Sequence, residues 1–531
     1  MKKIFLSLIL LLSLTGTSAA SFKDDLLTLE GVASIDEIVQ SGDSKPFAEK
    51  YVVTFAQYLD WNNPDLGTFT QRVEIGFKGY DNVNVIYTSG YELYEKNFEK
   101  DDEHEISKMY NGNFINVEYR FFSESSPEGL SSESTALWEY LTDENASNDF
   151  HNIIEQLKEI LSGRWVFTGA SKGGQATNVF AYYFPNDADA YVSYVAPFCD
   201  GIDDDRAFNA IYNTIGNERY GEEKAKEYRD LMLDFQVEAI KNRDYLQPLI
   251  ISEDSYLDNK YPLKTASLDF EVAIVDLVFG EWQYDQNFAS FDEVMKITPR
   301  SDDLSTPDVK ENQKFLDALL TLTLIRVNDN PFSANRELSF PYVVHAVTEN
   351  GNYGMRLQPL RDELAKIGLS IDFTAETEKN YMALSDFTQE QLDTFKFNPA
   401  TRNKMLEWTQ TNTSNVIMIY GDSDPWYFMR LPETDNQNIH VFISSEDSHG
   451  VSIENMEEEL STEIKALLSE WLEQDAVEKK ENVLSSSSSG CNSGFSFLSL
   501  SLLLTALKKF NTPKLHCNII IKNFQKEKNL L

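Results

Sequence analysis

Residues 165–174 read WVFTGASKGG, and this stretch decides the fold. The apolar, β-rich run 165–168 is typical of a buried strand, and the pattern of 175–183 is typical of a helix. The G-x-S-x-G pentapeptide at 169–173 lies between them, where a sharp strand-to-helix turn pushes the serine side chain out of a sheet. Flanking glycines let neighbouring backbone pass without a clash. Ser171 is therefore a candidate nucleophile.

A serine at such a turn needs a base, and the base needs a carboxylate that orients it. Two later β-type runs, 416–420 and 439–444, end in loops that contain Asp424 and His449 respectively. In α/β-hydrolases the chain order is Ser, then Asp or Glu, then His. The sequence predicts Ser171 as nucleophile, Asp424 as orienter and His449 as general base. Asp422, in the same loop as Asp424, is the alternative orienter.

The pattern of elements predicts an α/β fold with a doubly wound, mostly parallel sheet. Short apolar or alternating runs predict strands at 73–77, 83–88, 115–122, 165–168, 191–196, 416–420 and 439–444. Helical patterns dominate from 200 to 401, for example at 222–240, 268–279 and 314–325. We expect an α/β-hydrolase core at 21–199 and 402–476, with residues 200–401 inserted as a large helical cap.

Composition limits the partners. The net charge of −40 argues against nucleic acid and anionic lipid, because both would be repelled at a distance. The hydrophobic content of 42% is ample for a sizeable core. The three cysteines are too scattered for a disulfide framework, and Cys and His do not cluster at metal-ligand spacing. We therefore expect no cofactor and no metal.

Both ends of the chain indicate export. Residues 1–20 combine two lysines, an apolar run and a small-residue cleavage site, as a secretory signal peptide does. Residues 477–531 hold a Ser-rich linker, Ser-Gly-Cys-Asn around Cys491, a short apolar stretch and a basic pair, which resembles a C-terminal sorting signal; a disordered tail is the alternative. These features predict a cell-surface or extracellular protein, with the periplasm also open, and no stable transmembrane span in the mature enzyme.

Several further segments resemble the secreted prolyl tripeptidyl aminopeptidases, a family of serine peptidases. The segments that carry the resemblance are 57–60 (QYLD), 63–64 (NP), 67–72 (GTFTQR), 88–91 (TSGY), 118–122 (EYRFF), 165–174, 282–284 (WQY), 348–351 (TENG), 421–426 and 449–450. The chain departs from the family at Trp61, where His is usual, and at Ala170, where Gly is common. Residues 200–401 depart most.

The resemblance implies an α/β-hydrolase core with a helical cap and peptide substrates with a free N-terminus, often cut after proline. It implies the same triad of Ser171, Asp424 and His449. The backbone N–H of Lys172 is the first expected oxyanion donor, and an N–H near Gly90 or Tyr91 is the second. A carboxylesterase or lipase, or a non-catalytic envelope binding protein, remains as an alternative function.

Substrate recognition has its own candidates in the later part of the chain. An exopeptidase must hold the substrate's ammonium group, for which Glu281 and Glu349 are candidates. Trp282, Tyr284 and Trp426 could wall a pocket for a proline ring.

Overall fold

A computed structural model describes residues 21–41, 45–93, 103–131, 134–251, 266–298, 309–328, 336–372 and 393–476. The predicted signal peptide (1–20) and the predicted sorting segment (477–531) lie outside the described residues. Within these ranges, every helix is too short or too polar to cross a lipid bilayer.

The structure is built on one nine-stranded sheet in the order β1-β2-β3-β5-β4-β6-β7-β8-β9. The first three strands run antiparallel to their neighbours, and the six from β5 to β9 run parallel. The strands are Val32–Glu37, Glu49–Tyr58, Thr68–Phe77, Asn84–Thr88, Asn113–Val117, Trp165–Ala170, Ala190–Tyr194, Val416–Gly421 and Ile439–Ser444, labelled β1 to β9. This is the doubly wound, mostly parallel sheet that the sequence predicts.

Helices cover both faces of the parallel half, and the alternation of side chains along each strand explains why. Phe167 of β6 packs into one cluster with Phe150 and Phe180, whereas its neighbour Val166 packs into another with Leu468. A strand buried on both faces reads as a continuous apolar run, as β6 and β8 do.

The helices, labelled α1 to α15 in chain order, are distributed unevenly. They are Phe22–Leu26, Glu105–Met109, Asp143–Lys158, Lys172–Tyr183, Arg206–Asn213, Asn217–Tyr220, Glu222–Lys241, Arg243–Ile251, Ala266–Gly280, Phe288–Met295, Val309–Asn328, Arg336–His345, Gln358–Lys366, Ala400–Thr411 and Glu458–Leu472. We call residues 200–401 the inserted segment; its described residues form helices but no strand. They supply most of a second apolar cluster, which also includes Trp426 and Met429 from the chain after β8.

The sheet differs from the sequence prediction in several strands. The strand predicted for 73–77 begins at Thr68, and the one predicted for 191–196 ends at Tyr194. The strand predicted for 115–122 ends at Val117, because Glu118 turns into a buried ion pair with Arg72 and Phe121 has a φ of +71°. Strands β1 and β2 were not predicted, although they form the antiparallel edge of the sheet.

A buried ion pair explains the tryptophan at position 61. The carboxylate of Asp149 accepts hydrogen bonds from Arg120 at 2.7 and 2.9 Å and from the indole N–H of Trp61 at 2.8 Å. The other N–H groups of Arg120 donate to the carbonyls of Leu59, Tyr140 and Tyr58. This pair ties β2, the start of α3 and the chain after β5 together.

We expect Asp149→Ala to lower the free energy of unfolding by about 3–5 kcal/mol, because it leaves the buried guanidinium of Arg120 without its counter-charge. Urea unfolding measures the change. The matched control is Asp230→Ala, which breaks an exposed pair with Lys226 and should cost about 1 kcal/mol or less. Equal losses in the two variants would contradict the argument.

Candidate active site

The nucleophile turn has the strained geometry that the pentapeptide predicts. Ser171 has φ +57° and ψ −120°, a combination that a side chain disfavours, and it immediately precedes α4. Its backbone N–H donates to the carbonyl of Tyr194 on β7 at 2.9 Å, which fastens the turn to the next strand. The hydroxyl therefore stands at the carboxyl edge of the parallel strands, where open α/β sheets place their sites.

Backbone packing explains why glycine flanks the serine. A Cβ on Gly173 would lie 1.9 Å from the carbonyl oxygen of Thr88, and one on Gly169 would lie 2.4 Å from the carbonyl oxygen of Gly173. Both contacts are with backbone, so the neighbour cannot move aside. Only glycine fits at these two positions.

Asp424 and His449 lie in contact at the same edge. Nδ1 of His449 is 2.7 Å from Oδ2 of Asp424, whose side chain has no exposed surface. The second oxygen of Asp424 accepts the backbone N–H of Trp426 at 3.1 Å, which fixes the carboxylate plane. A carboxylate on Nδ1 leaves Nε2 as the nitrogen that can exchange protons with a substrate or nucleophile.

The alternative orienter, Asp422, makes different contacts. Its Oδ1 accepts the hydroxyl of Ser423 at 2.9 Å, and its Oδ2 makes no hydrogen bond with the described residues. Burial raises the pKa of Asp422 to about 6. The carboxylate that contacts His449 is that of Asp424.

Strand order brings Ser171 to the same edge as His449. Ser171 follows β6, Asp424 follows β8 and His449 follows β9, and these strands belong to one parallel set. In the described part of the chain the hydroxyl of Ser171 makes no hydrogen bond. Catalytic hydrogen bonds are often long in unliganded enzymes and tighten when the substrate binds.

The three expected oxyanion donors differ in their surroundings. Lys172 begins α4, so its N–H is one of the amides that a helix leaves without an internal partner. The N–H of Gly90 donates to the hydroxyl of Thr88 at 3.1 Å, and that of Tyr91 donates to the hydroxyl of Ser89 at 3.2 Å. An oxyanion that binds the N–H of Gly90 or of Tyr91 would have to replace the hydroxyl oxygen that accepts from that N–H in this structure.

Three of the five substrate-binding candidates, Glu281, Trp282 and Trp426, are buried, whereas Glu349 is partly buried and Tyr284 is exposed. Trp282 is fully buried against Phe288, and Trp426 packs on Phe279 and Tyr353, so both indoles belong to the apolar cluster of the inserted segment. Neither walls an open pocket.

The two glutamates are also engaged inside the protein. Glu281 is 1% exposed and accepts the backbone N–H of Asn287 at 2.5 Å. Glu349 accepts the backbone N–H of Asp143 at 2.9 Å and the hydroxyl of Thr401. Oε1 of Glu281 and both oxygens of Glu349 therefore already accept hydrogen bonds from the protein.

Tyr284 is the candidate that lies at the site. Its side chain is 54% exposed, and its ring stands edge-to-face against the imidazole of His449 at 5.5 Å between centroids. The segment around it contacts the His449 loop directly: Ser448 donates its hydroxyl to the carbonyl of Trp282 at 2.6 Å, and His449 donates its N–H to that of Gln283 at 3.2 Å. The inserted segment therefore contacts the loop that contains His449.

Comparison with known proteins agrees with this geometry. The family model for PS-10 peptidase S37 matches residues 16–311, which is more than half of the chain and includes the nucleophile turn. The chain belongs to the PS-10 peptidase S37 family. Asp424 and His449 lie beyond the matched residues, so their assignment rests on the contacts described above.

One curated relative and two solved structures illustrate the similarity. The chain is 26% identical over 416 residues to a prolyl tri/tetrapeptidyl aminopeptidase of Streptomyces mobaraensis, covering 77% of this chain and 75% of that protein. A proline iminopeptidase from Mycobacterium smegmatis gives a TM-score of 0.33 at 12% identity, covering 79% of this chain and 97% of that one. Esterase E22 gives a TM-score of 0.35 at 10% sequence identity, and the match covers 80% of this chain and 99% of that one. This S37 protein is a serine peptidase with an α/β-hydrolase fold.

We expect Gly90→Ala to lower the kcat/KM of this S37 peptidase about 100-fold, because a small displacement of reacting groups is costly. The added Cβ would lie 2.8 Å from the backbone nitrogen of Gly173, so the nucleophile turn would have to shift. The control is Gly129→Ala, since Gly129 has a similar φ of +85° but nothing within 4 Å of the added atom. Peptide hydrolysis by the two variants measures the difference, and equal activity would contradict it.

The sequence pattern did not reveal one group of residues beside the predicted nucleophile of this S37 peptidase. The side chain of Lys172 turns inward toward Asp143, at the start of α3, and toward His345 and Glu349, one helical turn apart in the inserted segment. The only local signal was a lysine inside the pentapeptide, and a lysine at a turn is ordinarily exposed.

Proposed function

We propose that this peptidase is an exopeptidase that releases di- or tripeptide units from free N-termini, cutting after proline, with Ser171, Asp424 and His449 as its triad. The 2.7 Å contact between His449 and Asp424, at the edge that carries the nucleophile turn, is the observation on which the triad depends.

The mechanism follows from this arrangement. His449 takes the proton of Ser171 as the hydroxyl attacks the scissile carbonyl, and it then gives that proton to the leaving amine. Asp424 holds the imidazole in one tautomer and stabilises the imidazolium that forms. The N–H of Lys172 donates to the developing oxyanion, and a second donor comes from Gly90 or Tyr91 after a hydroxyl acceptor is exchanged. Water then hydrolyses the acyl-enzyme by the same steps.

The contact between the inserted segment and the His449 loop supports an exopeptidase. We propose residues 200–401 as a cap that limits access to chain ends, because Tyr284 stands directly against the catalytic imidazole. An endopeptidase needs an open cleft on both sides of the scissile bond. The specificity of the Streptomyces relative supports the preference for N-terminal units that end in proline.

Three matched substrates test the proposal. We expect rapid hydrolysis of an alanyl-alanyl-prolyl p-nitroanilide and no hydrolysis of its N-acetylated counterpart, since acetylation removes the ammonium group. A short-chain p-nitrophenyl ester is the third substrate. Equal turnover of the free and acetylated peptides would overturn the exopeptidase assignment, and turnover of the ester alone would favour a carboxylesterase.

Export is a separate proposal. We propose that residues 1–20 are removed as a signal peptide and that processing near Cys491 leaves the enzyme at the cell surface or releases it. The supporting observation is the sequence at both ends. Mass spectrometry of the protein recovered from medium and from cell envelope tests this, and an intact N-terminus in the cytoplasm would overturn it.

A further inference from the structure

The side chain of Lys172 is buried although the residue follows the nucleophile directly. It is 3% exposed, and its Nζ lies 3.1 Å from the ring centroid of Tyr119 and 5.5 Å from that of Phe122. The ring face stabilises a cation there. Nζ makes no hydrogen bond with the described residues, so aromatic faces and nearby charges hold the ammonium group.

Two buried carboxylates supply those charges. Asp143 begins α3, and its Oδ1 accepts the hydroxyl of Tyr119 at 3.0 Å, while its Oδ2 makes no hydrogen bond with the described residues. Glu349, in the inserted segment, accepts the N–H of Asp143 at 2.9 Å. Both carboxylates raise the pKa of Lys172, although burial lowers it more. The lysine thus faces one carboxylate from the core and one from the inserted segment.

His345 completes the group as a neutral partner. Its Nε2 lies 3.4 Å from Oδ1 of Asp143 and 3.3 Å from Oε2 of Glu349, and its Nδ1 lies 3.3 Å from the amide nitrogen of Asn350. The amide of Asn350 donates to Nδ1, so Nε2 carries the hydrogen. Burial lowers the pKa of His345 to about 3. The ligand atoms of Asp143, His345 and Glu349 all lie within 4.8 Å of one another, so the two carboxylates act on Lys172 as one cluster.

We propose that Lys172 is a positioning residue whose charged side chain, which lies on the ring of Tyr119 and is attracted by Asp143 and Glu349, fixes the nucleophile turn against the inserted segment. Backbone connectivity makes this direct, because Lys172 contributes both the inward-facing ammonium group and the N–H next to the attacking oxygen. If Lys172 lost its charge, its electrostatic attraction to Asp143 and Glu349 would be lost. The inference rests on the proposed role of Ser171 as nucleophile.

The charge of Lys172 changes in an accessible pH range. Burial lowers the pKa of Lys172 to about 7, and burial raises the pKa of Asp143 to about 6. Burial also raises the pKa of Glu349. It raises the pKa of Tyr119 well above its usual value, so the Tyr119 hydroxyl stays neutral over this range. Lys172 is therefore charged below about pH 7 and loses its charge as the pH rises.

The rate of labelling of Ser171 by a fluorophosphonate, measured from pH 5 to 10, tests the proposal. For the wild type we expect the rate to fall on the alkaline side of the profile as Lys172 loses its proton. Lys172→Met should lack the alkaline fall and react about 10- to 100-fold more slowly at the wild-type optimum. A lysine that merely fills space would leave the shape of the profile unchanged.

Asp143→Asn is the second variant, because it keeps the acceptor for Tyr119 and removes only the charge. Losing a carboxylate lowers the pKa of a neighbouring ammonium group, so the alkaline fall should move to lower pH. Thermal unfolding across the same pH range shows whether each variant is folded. If Lys172→Met does not fold, the position of the alkaline fall in Asp143→Asn tests the proposal alone.

Three outcomes are distinguishable. An unmoved alkaline fall in Asp143→Asn, or a wild-type profile in folded Lys172→Met, would overturn the positioning role. A wild type that the probe labels without any alkaline fall would overturn it as well. A wild type that does not react with the probe at all would instead overturn the proposed nucleophile.

Discussion

Ser171→Ala is expected to lower kcat by about 10⁴-fold or more and to abolish fluorophosphonate labelling, because the variant has no atom that can form the acyl-enzyme. The residual rate would come from the oxyanion donors and from binding alone. Hydrolysis of a prolyl p-nitroanilide and labelling followed by mass spectrometry measure both effects. The control is Ser193→Ala, a buried serine on the neighbouring strand β7 that should keep full activity.

Stability provides an independent check on the same residue. Ser171 has a positive φ, which a side chain disfavours by about 1–2 kcal/mol relative to glycine. We therefore expect Ser171→Gly to be more stable than Ser171→Ala in urea unfolding, although both are inactive. If Ser171→Ala retains activity, another nucleophile must exist; if the two variants are equally stable, the turn is not strained.

The parallel part of the fold is predictable because each strand there is a short run buried on both faces. The predicted run 439–444 coincides with β9, and the runs at 165–168 and 416–420 fall short of β6 and β8 by no more than two residues. Strand β1 was missed because most of its residues are partly or fully exposed, so it lacks an apolar pattern. Strand β2 does alternate, with Tyr51, Val53 and Phe55 buried, and that signal was overlooked.

A residue of the site can be predicted from the sequence when its role depends on its neighbours in the chain, and cannot be when its role depends on contacts with distant residues. The turn around Ser171 is recognisable from five consecutive residues, because the glycine spacing is a local pattern, although the backbone that requires Gly173 is that of distant Thr88. The pairing of His449 with Asp424 follows from chain order along a parallel sheet. The direction of the Lys172 side chain depends on Tyr119, Asp143 and Glu349, which are far apart in sequence, so no local pattern could have revealed it.

The burial of the tryptophans and glutamates expected at the substrate site could not be predicted from the sequence for a related reason. Aromatic and acidic residues near a site are chosen from sequence by their chemistry, whereas exposure depends on the tertiary packing around them. Trp282 and Trp426 fill the cluster inside the inserted segment, and Glu349 binds backbone and hydroxyl donors. Tyr284 alone among them reaches the imidazole of His449.

Asp424→Asn is expected to lower kcat by about 10⁴-fold at neutral pH while the protein remains folded. The carboxylate of Asp424 accepts from Nδ1 of His449 at 2.7 Å, so Nε2 is left to accept the proton of Ser171. An asparagine can donate its amide N–H to Nδ1, which places the hydrogen on Nε2 and blocks proton transfer. It also removes the negative charge that stabilises the imidazolium.

Asp422→Asn is the matched control, two residues away in the same loop. Asp422 contacts the hydroxyl of Ser423 and not His449, so this variant should keep a wild-type kcat. Steady-state hydrolysis of the prolyl p-nitroanilide separates the two carboxylates, with thermal unfolding to confirm that both variants are folded. A large loss in Asp422→Asn together with an active Asp424→Asn would transfer the orienting role to Asp422. Because the two acids share one loop, only their different contacts with the imidazole can produce the expected contrast.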